Sequence, residues 1–230
     1  MLTGPFGALT EETPAPGLRV LQPERGYRWG VEVYALAAFA LGIGGPASVP
    51  AATAIELGAG SGIVSLLLAS RGLTVRGWEL DPAWVQLARA SARRSRFEGR
   101  VRFSVRDVRS PTRAAPADVV VCNPPWFAPA AGPRSPDPRK AAARTMLHGT
   151  VQDFVNAGLR LAPRVCLVSR PERVHELRFE GCFIARSAVL PGGAVTLAEV
   201  RHGEGTTVCE PFDLPAAYAA FRGLPIETPS

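Results

Sequence analysis

The sequence predicts an α/β fold: a doubly wound sheet that is mostly parallel and ends in an antiparallel hairpin. Short apolar segments alternate with longer amphipathic ones between residues 53 and 181, the pattern of strands and helices in a wound sheet. Two further strand-like segments, 182–190 and 194–202, are joined by Pro191-Gly192-Gly193. A short glycine-containing connection of this kind favours a hairpin.

Each element has a local signal. The predicted strands are 53–62 with its glycine-rich end, 74–80, 100–107, 117–123 and 164–169. The predicted helices are 31–41, 63–72, 82–96, 150–162 and 171–181. Asp81 before Pro82 is a helix cap followed by a first-turn proline, and Gly72 is placed to end a helix. The apolar run in 117–123 is continuous, as in a strand buried on both faces.

The flanking segments show no clear periodicity. Residues 1–17 contain three prolines and are predicted to be a flexible tail. The domain is predicted to span 18–202, with 18–30 as an extended lead-in. The segment 203–230 is marked by proline and glycine and is predicted to be a C-terminal tail.

Composition limits the class of protein. Hydrophobic residues make up 47% of the 230-residue chain, enough for a core, yet no apolar run approaches the ~20 residues that span a bilayer. The start lacks the basic and apolar regions of a signal peptide, so we expect a cytoplasmic protein without a membrane partner. The formal net charge of +6 is compatible with a nucleic-acid partner.

No metal site is predicted. The cysteines are scattered without C-x-x-C spacing, which favours free thiols in a reducing compartment. They are Cys122, Cys166, Cys182 and Cys209. The histidines (His148, His175 and His202) also lack the spacing of metal ligands.

A glycine loop follows the first predicted strand of the wound sheet. Gly58, Gly60 and Gly62 alternate in ELGAGSG, where a ligand can approach the backbone closely. Acids at the ends of the next two strands, Glu79 and Asp107, fall at the edge where such sheets bind ligands. The dinucleotide-binding alternative requires glycine or alanine at position 63, where this chain has isoleucine.

A second motif ends the strand that begins near residue 117. Two consecutive prolines cannot lie inside a central strand, so Asn123-Pro124-Pro125-Trp126 stops it and leaves an amide and an aromatic ring at its end. With the glycine loop, this motif resembles class I S-adenosylmethionine-dependent methyltransferases that carry N-P-P-[YFW]. The resemblance implies a Rossmann-like methyltransferase sheet and S-adenosylmethionine as cofactor.

The resemblance also assigns residues. The implied cofactor-binding residues are Gln22, Gly30, Glu56, Gly58, Gly60, Gly62, Glu79, Leu80, Asp107 and Asn123. A carboxylate at Glu56 suits a cationic ligand better than a phosphate. The implied catalytic residues are Asn123, Pro124, Pro125 and Trp126. The Asn123 oxygen and the Pro124 carbonyl would hold the two hydrogens of a planar amino group, Pro125 would fix the backbone, and Trp126 would stack on the substrate.

The N-terminal lead-in narrows the resemblance to one family of these methyltransferases. Gln22 to Glu32 and the helix that follows are most like the opening of the bacterial tRNA(Val) adenine-N6 methyltransferase family, in which this segment closes over the cofactor. Glu32 stands where the family usually has aspartate, and Trp126 where tyrosine is commoner. A basic, proline-rich loop spans 127–150. Its implied RNA contacts are Arg134, Arg139, Lys140 and Arg144.

A second basic cluster occupies residues 93–113. Arg93, Arg94 and Arg96 end a helix, so they are predicted to lie on a solvated surface away from the ligand edge. Arg106 and Arg109 flank Asp107 and are better placed for phosphate contact.

The predicted function is N-methylation of the exocyclic N6 of an adenine in tRNA. The same chemistry on ribosomal RNA guanine N2, protein glutamine or DNA adenine is an alternative. A non-catalytic nucleic-acid-binding protein on this scaffold is another, although the intact glycine loop, Glu79 and the Asn-Pro-Pro-Trp motif argue against it.

Overall fold

A computed structural model describes residues 2–25, 28–110, 114–125, 149–178 and 180–223. The strands are β1 (Leu2–Gly4), β2 (Gly7–Glu12), β3 (Val20–Pro23), β4 (Thr53–Leu57), β5 (Thr74–Glu79), β6 (Val101–Val105), β7 (Val119–Cys122), β8 (Arg164–Ser169), β9 (Cys182–Val189), β10 (Thr196–His202) and β11 (Val208–Cys209). The helices are α1 (Glu32–Leu41), α2 (Ile63–Ser70), α3 (Pro82–Arg94), α4 (Val151–Leu159), α5 (Pro171–His175) and α6 (Leu214–Arg222).

The main sheet confirms the predicted fold class. Its eight strands run in the order β11-β9-β10-β8-β7-β4-β5-β6. The five strands from β8 to β6 in that order are parallel. β10 is antiparallel to both β8 and β9, which places the predicted hairpin at the end of the sheet. Chain order reverses between β4 and β7, the point at which such sheets bind ligands.

Helices cover both faces of this sheet. One apolar cluster packs α1, α2 and α3 against the sheet, and a second packs α4 and α5 on the opposite face. The sequence of β7 is apolar throughout because this strand is covered on both faces. Val119 and Val121 belong to the first cluster, whereas Val120 and Cys122 belong to the second. Successive side chains of a strand point to opposite faces, so a strand covered on both needs no polar positions.

The N-terminal segment differs from the prediction of a tail. β1, β2 and β3 form a separate three-stranded antiparallel sheet. It packs on α3, where the rings of Phe6 and Trp84 lie 4.4 Å apart. The Leu21 amide donates to Ser91 Oγ at 3.0 Å. β1 and β2 are short and are stabilised by pairing in this sheet and by packing on α3. Local hydrophobic periodicity does not reveal such contacts.

The C-terminal segment is likewise structured up to residue 223. Asp213 accepts a hydrogen bond from the Ala216 amide at 2.8 Å and so caps α6. α6 packs on α1, with the rings of Tyr34 and Tyr218 in edge contact at 4.8 Å and Phe221 buried. The scattered prolines and glycines of this segment suggested a tail without a helix. α6 forms because one of its faces packs on α1.

A buried ion cluster, absent from the sequence predictions, joins the hairpin to the end of α1. Glu199 on β10 is fully buried and pairs with Arg186 at 2.5 Å and Arg164 at 3.1 Å. Burial alone would raise the pKa of Glu199, yet these guanidinium groups lower it to about 2. Arg186 also donates to the Phe39 carbonyl at 3.0 Å, and Arg164 to the Ala40 carbonyl at 3.2 Å. These carbonyls lie in the last turn of α1, where cations are favoured.

Candidate active site

The glycine loop lies at the carboxyl end of β4. Gly58, Gly60 and Gly62 have φ angles of 73°, 51° and 82°, in the left-handed region that favours glycine. The amides of Gly58 and Ala59 donate to the Trp78 carbonyl at 2.8 and 3.0 Å, so the loop is anchored on β5. The loop is therefore a fixed turn rather than a freely moving one.

Two of these glycines have different surroundings. A Cβ atom on Gly62 would lie 2.5 Å from Phe103 Cζ, so this position needs glycine for packing as well as for φ. A Cβ atom on Gly60 would meet no atom within 4 Å. Gly60 therefore borders open space, where a ligand can approach the backbone.

Glu79 ends β5 beside this open space. Its carboxylate accepts hydrogen bonds from the Gly60 amide at 2.9 Å, the Leu80 amide at 2.7 Å and the Asp81 amide at 3.0 Å. Burial raises the pKa of Glu79, and the three amides oppose that effect. A carboxylate has about four acceptor positions. Three backbone donors thus leave room for one more, such as a ribose hydroxyl.

Glu56 occupies a different place from the one that its assignment to cofactor binding suggested. Its side chain is buried and accepts hydrogen bonds from the Ser65 amide at 2.8 Å and from the Ser65 hydroxyl. These contacts satisfy a donor in the first turn of α2. Burial raises the pKa of Glu56 to about 8. The contacts of this carboxyl thus support the turn that follows the glycine loop, and a direct contact with a ligand stays a prediction.

Asp107 and Arg109 form an ion pair near the end of β6. Arg109 Nη2 lies 2.6 Å from Asp107 Oδ2, and the Arg109 amide donates to Asp107 Oδ1 at 2.9 Å. The neighbouring Arg106 guanidinium lies 5.0 Å from the centre of the Trp78 ring. The arginines beside Asp107 therefore already have partners within the protein.

The segment Asn123-Pro124-Pro125 leaves the sheet beside the glycine loop. Leu57 of β4 and Cys122 of β7 are paired in register, so the residues that follow them, Gly58 and Asn123, emerge side by side. Asn123 and Pro125 are partly buried and Pro124 is buried. The structure thus brings together the two motifs that the sequence singled out 60 residues apart.

The lead-in residues make contacts of their own. The Gln22 side chain is buried and accepts a hydrogen bond from the Trp29 amide at 3.2 Å. The Gly30 amide donates to Glu32 Oε1 at 3.0 Å. The indole nitrogen of Trp29 is buried and makes no hydrogen bond in the part of the chain that is described. It is a donor available to a ligand that this segment covers.

Phe154 is a site neighbour that the sequence did not indicate. It lies in the first turn of α4, and its ring would be 3.1 Å from a Cβ atom on Gly58. The amphipathic pattern of α4 predicts a buried phenylalanine but not which loop it touches. The predicted site residues Trp126, Arg134, Arg139, Lys140 and Arg144 lie outside the described residues.

This geometry fits S-adenosylmethionine. Open space at Gly60 and an acceptor position on Glu79 match a ligand that has ribose hydroxyls. Within the described ranges, no three acidic, cysteine or histidine side chains are grouped to hold a metal ion. In those ranges there is also no helix both long and apolar enough to cross a membrane.

Comparison with known proteins gives the same class. Residues 47–148 match the methyltransferase small domain family model. The chain is 35% identical over 81 residues to the tRNA1(Val) (adenine(37)-N6)-methyltransferase of Yersinia pestis. That match covers 33% of this chain and 33% of the relative, so the chain spans about a third of the length of the curated relatives it matches.

Solved structures share the fold. TrmN from Thermus thermophilus aligns with a TM-score of 0.51 and 24% identity, over 67% of this chain and 45% of that one. The tRNA (uracil-54, C5)-methyltransferase of Pyrococcus abyssi, in complex with S-adenosyl-L-homocysteine, aligns with a TM-score of 0.57 and 18% identity, over 84% and 43%. At these identities the likeness concerns the fold.

The fold and the family-model match agree on the class of domain, that of the S-adenosylmethionine-dependent methyltransferases. The match to the methyltransferase small domain model spans residues 47–148, which include both the glycine loop and Asn123-Pro124-Pro125. S-adenosylmethionine is the cofactor that this family match implies.

Proposed function

We propose that this protein is an S-adenosylmethionine-dependent N-methyltransferase that acts on the N6 amino group of an adenine in tRNA. One observation carries the proposal: Asn123-Pro124 leaves β7 directly beside the glycine loop after β4. This register supports a role for the Asn123 amide and the Pro124 carbonyl beside the proposed cofactor site. The partial relative that acts on an adenine of tRNA supports the choice of acceptor.

The chain's residues act mainly by orientation. An adenine amino nitrogen is a poor nucleophile because its lone pair is delocalised into the ring. The Asn123 side-chain oxygen and the Pro124 carbonyl accept its two hydrogens, which favours tetrahedral geometry and aims the lone pair at the donor. S-adenosylmethionine, when bound, supplies an electrophilic methyl group on a sulfonium. The methylated nitrogen then releases one proton to solvent, so no strong general base is needed.

The proposed partner is RNA. The chain carries a net charge of +6, and single-stranded loop bases are the usual targets of base-specific RNA recognition. Trp126 is proposed to stack on the extruded base, and Arg134, Arg139, Lys140 and Arg144 to contact the backbone. A tRNA substrate supports the proposed cytoplasmic location.

The proposal is tested by transfer of a labelled methyl group from S-adenosylmethionine to separated tRNA, ribosomal RNA, DNA and release-factor protein, all lacking the modification. We expect label in tRNA, recovered as N6-methyladenosine by nucleoside mass spectrometry. Label on guanine N2, on DNA adenine or on protein glutamine would retain the chemistry and overturn the acceptor. Tight cofactor binding without label in any fraction would favour the non-catalytic alternative.

Asn123→Ala provides the mechanistic test. It removes an acceptor at the reacting nitrogen, so we expect turnover to fall by about 10²–10³ while S-adenosylmethionine still binds. Asn156→Ala is the matched control, since Asn156 is exposed on α4. Turnover near wild type in Asn123→Ala would show that the amide does not orient the substrate.

A further inference from the structure

A groove lined with arginines runs between α3 and β6, the strand at the edge of the main sheet. Its volume is about 350 Å³. Its lining residues are Arg89, Ala92, Arg93, Glu98, Val101, Arg102 and Phe103. We call it the arginine groove. It combines apolar with charged lining residues, and one of them, Phe103, also packs against Gly62 of the glycine loop.

The charged lining of the groove is electropositive. The lining includes three arginines and one carboxylate residue, Glu98, which leaves a formal charge of +2. Arg89 donates from Nε and Nη2 to the Phe103 carbonyl, at 3.0 and 2.7 Å, and is thereby held along the edge of β6. Like charges held together repel one another, so an anion in the groove is favoured.

Arg93 and Arg102 are the available cations of this lining. Both are exposed, and within the described part of the chain neither forms an ion pair. Their neighbours differ: Arg94 pairs with Glu11 at 3.1 Å and Arg109 with Asp107 at 2.6 Å. The guanidinium is planar and matches two phosphate oxygens at once. Arg93 and Arg102 are therefore suited to bind a phosphate group.

The groove lies near the amino end of β6, whereas the candidate site follows the carboxyl end of that strand. Arg102 and Arg106 are four residues apart at the edge strand, and side chains at even spacing lie on the same side of an extended segment. Asp107 and the candidate site follow immediately. A polyanion bound in the groove would therefore extend along β6, roughly 13 Å for four residues, to reach the site.

We propose that the arginine groove binds phosphate groups of the RNA substrate, through Arg93 and Arg102 with Arg89 in support. The inference rests on the proposed function for its choice of RNA. It differs from the sequence prediction, which assigned Arg93 to a solvated surface away from the ligand edge. Arg93 and Arg102 belong to different elements, and only packing of α3 beside β6 brings them together.

The test measures RNA affinity at about 50 to 200 mM salt for Arg93→Gln, Arg102→Gln and the double variant. The probes are an unmodified tRNA transcript and an unrelated RNA of equal length. Each lost phosphate contact should reduce the slope of log affinity against log salt by about 1. It should also weaken the binding of both RNAs by the same factor. Arg160→Gln is the control, since it removes the same charge from an exposed position at the end of α4.

For methyl transfer we expect a higher KM for RNA and an unchanged kcat in the groove variants. Salt slopes equal to wild type, or an equal fall in Arg160→Gln, would overturn the groove proposal. Labelling of tRNA by wild type alongside such unchanged slopes would leave the proposed function intact. Conversely, lower RNA affinity in the groove variants with no label in any RNA would support the groove and overturn the proposed function.

Discussion

Glu79 and Glu56 are two carboxyl groups close to the glycine loop with different roles. Glu79 accepts three backbone amides and borders the open space at Gly60. Glu56 is enclosed and bonded to Ser65. Residue type and spacing suggested one role for both, namely cofactor binding. The contacts indicate that one shapes the ligand edge and the other holds the turn into α2.

Replacement of Glu79 by alanine should weaken binding of S-adenosylmethionine. Loss of a hydrogen bond to a charged acceptor corresponds to about 1.5–3 kcal/mol, or roughly tenfold to a hundredfold in Kd. High cofactor concentration should restore the rate. Calorimetric titration measures the affinity, and thermal unfolding of the free protein shows whether the loop is retained. Unchanged affinity in a folded variant would remove Glu79 from the ribose role.

The raised pKa of Glu56 predicts that the free energy of unfolding depends on pH. Its pKa is raised by burial to about 8 in the folded protein, against about 4.3 in an unfolded chain. The folded state therefore binds the extra proton between these values, and its contribution to stability falls as pH rises from about 5 to 8. Glu56→Gln should lack this fall.

Denaturant unfolding of wild type and Glu56→Gln at pH 5 to 9 measures that difference. The stability of wild type relative to the variant should decline across this range. Parallel pH profiles for the two proteins would mean that the carboxyl is ionised in the folded state.

At the scale of elements, the two chain ends meet on α1. The Tyr34 hydroxyl donates to the Pro14 carbonyl at 2.9 Å, and its ring contacts Tyr218 of α6. Tyr34 of α1 thus contacts both the segment before the lead-in and α6, which are about 200 residues apart in the chain. Stability of α6 should accordingly affect the segment proposed to cover the cofactor.

The cap of α6 offers a controlled test of that coupling. Asp213→Ala removes the acceptor of the Ala216 amide and should destabilise the helix by about 1 kcal/mol, whereas Asp213→Asn retains a good cap. Hydrogen exchange of the backbone amides in residues 214–222 and 18–25 would measure the local stability of α6 and of the lead-in. Faster exchange in α6 alone would show that the two ends are independent.

For the whole molecule, the buried ion cluster is the main link between the hairpin and the helical layer. Glu199→Gln leaves Arg164 and Arg186 without a counter-charge in the interior, so we expect a loss of about 3–5 kcal/mol in the free energy of unfolding. Glu204→Gln, at an exposed position beyond β10, is the control. Denaturant unfolding measures the free energy of unfolding of the two variants. A loss below about 1 kcal/mol would show that water or another acceptor compensates.

Much of the fold followed from local signals. The cap at Asp81, the glycines after β4 and the continuous apolar run of β7 each fix a boundary within a few residues, and all three were confirmed. The α/β alternation then limits the topology to a wound sheet. α6 and the N-terminal sheet were missed because their stability comes from partners distant in sequence.

The same division holds for function. The sequence by itself indicated the class of domain through a family resemblance. That resemblance is carried by the glycine loop and Asn123-Pro124-Pro125, consecutive residues whose backbone restrictions are intrinsic to glycine and proline. Only the tertiary structure decided which side chains share a space. The enclosure of Glu56, the ion cluster around Glu199 and the meeting of Arg93 with Arg102 depend on how strands and helices pack, and no local pattern encodes that.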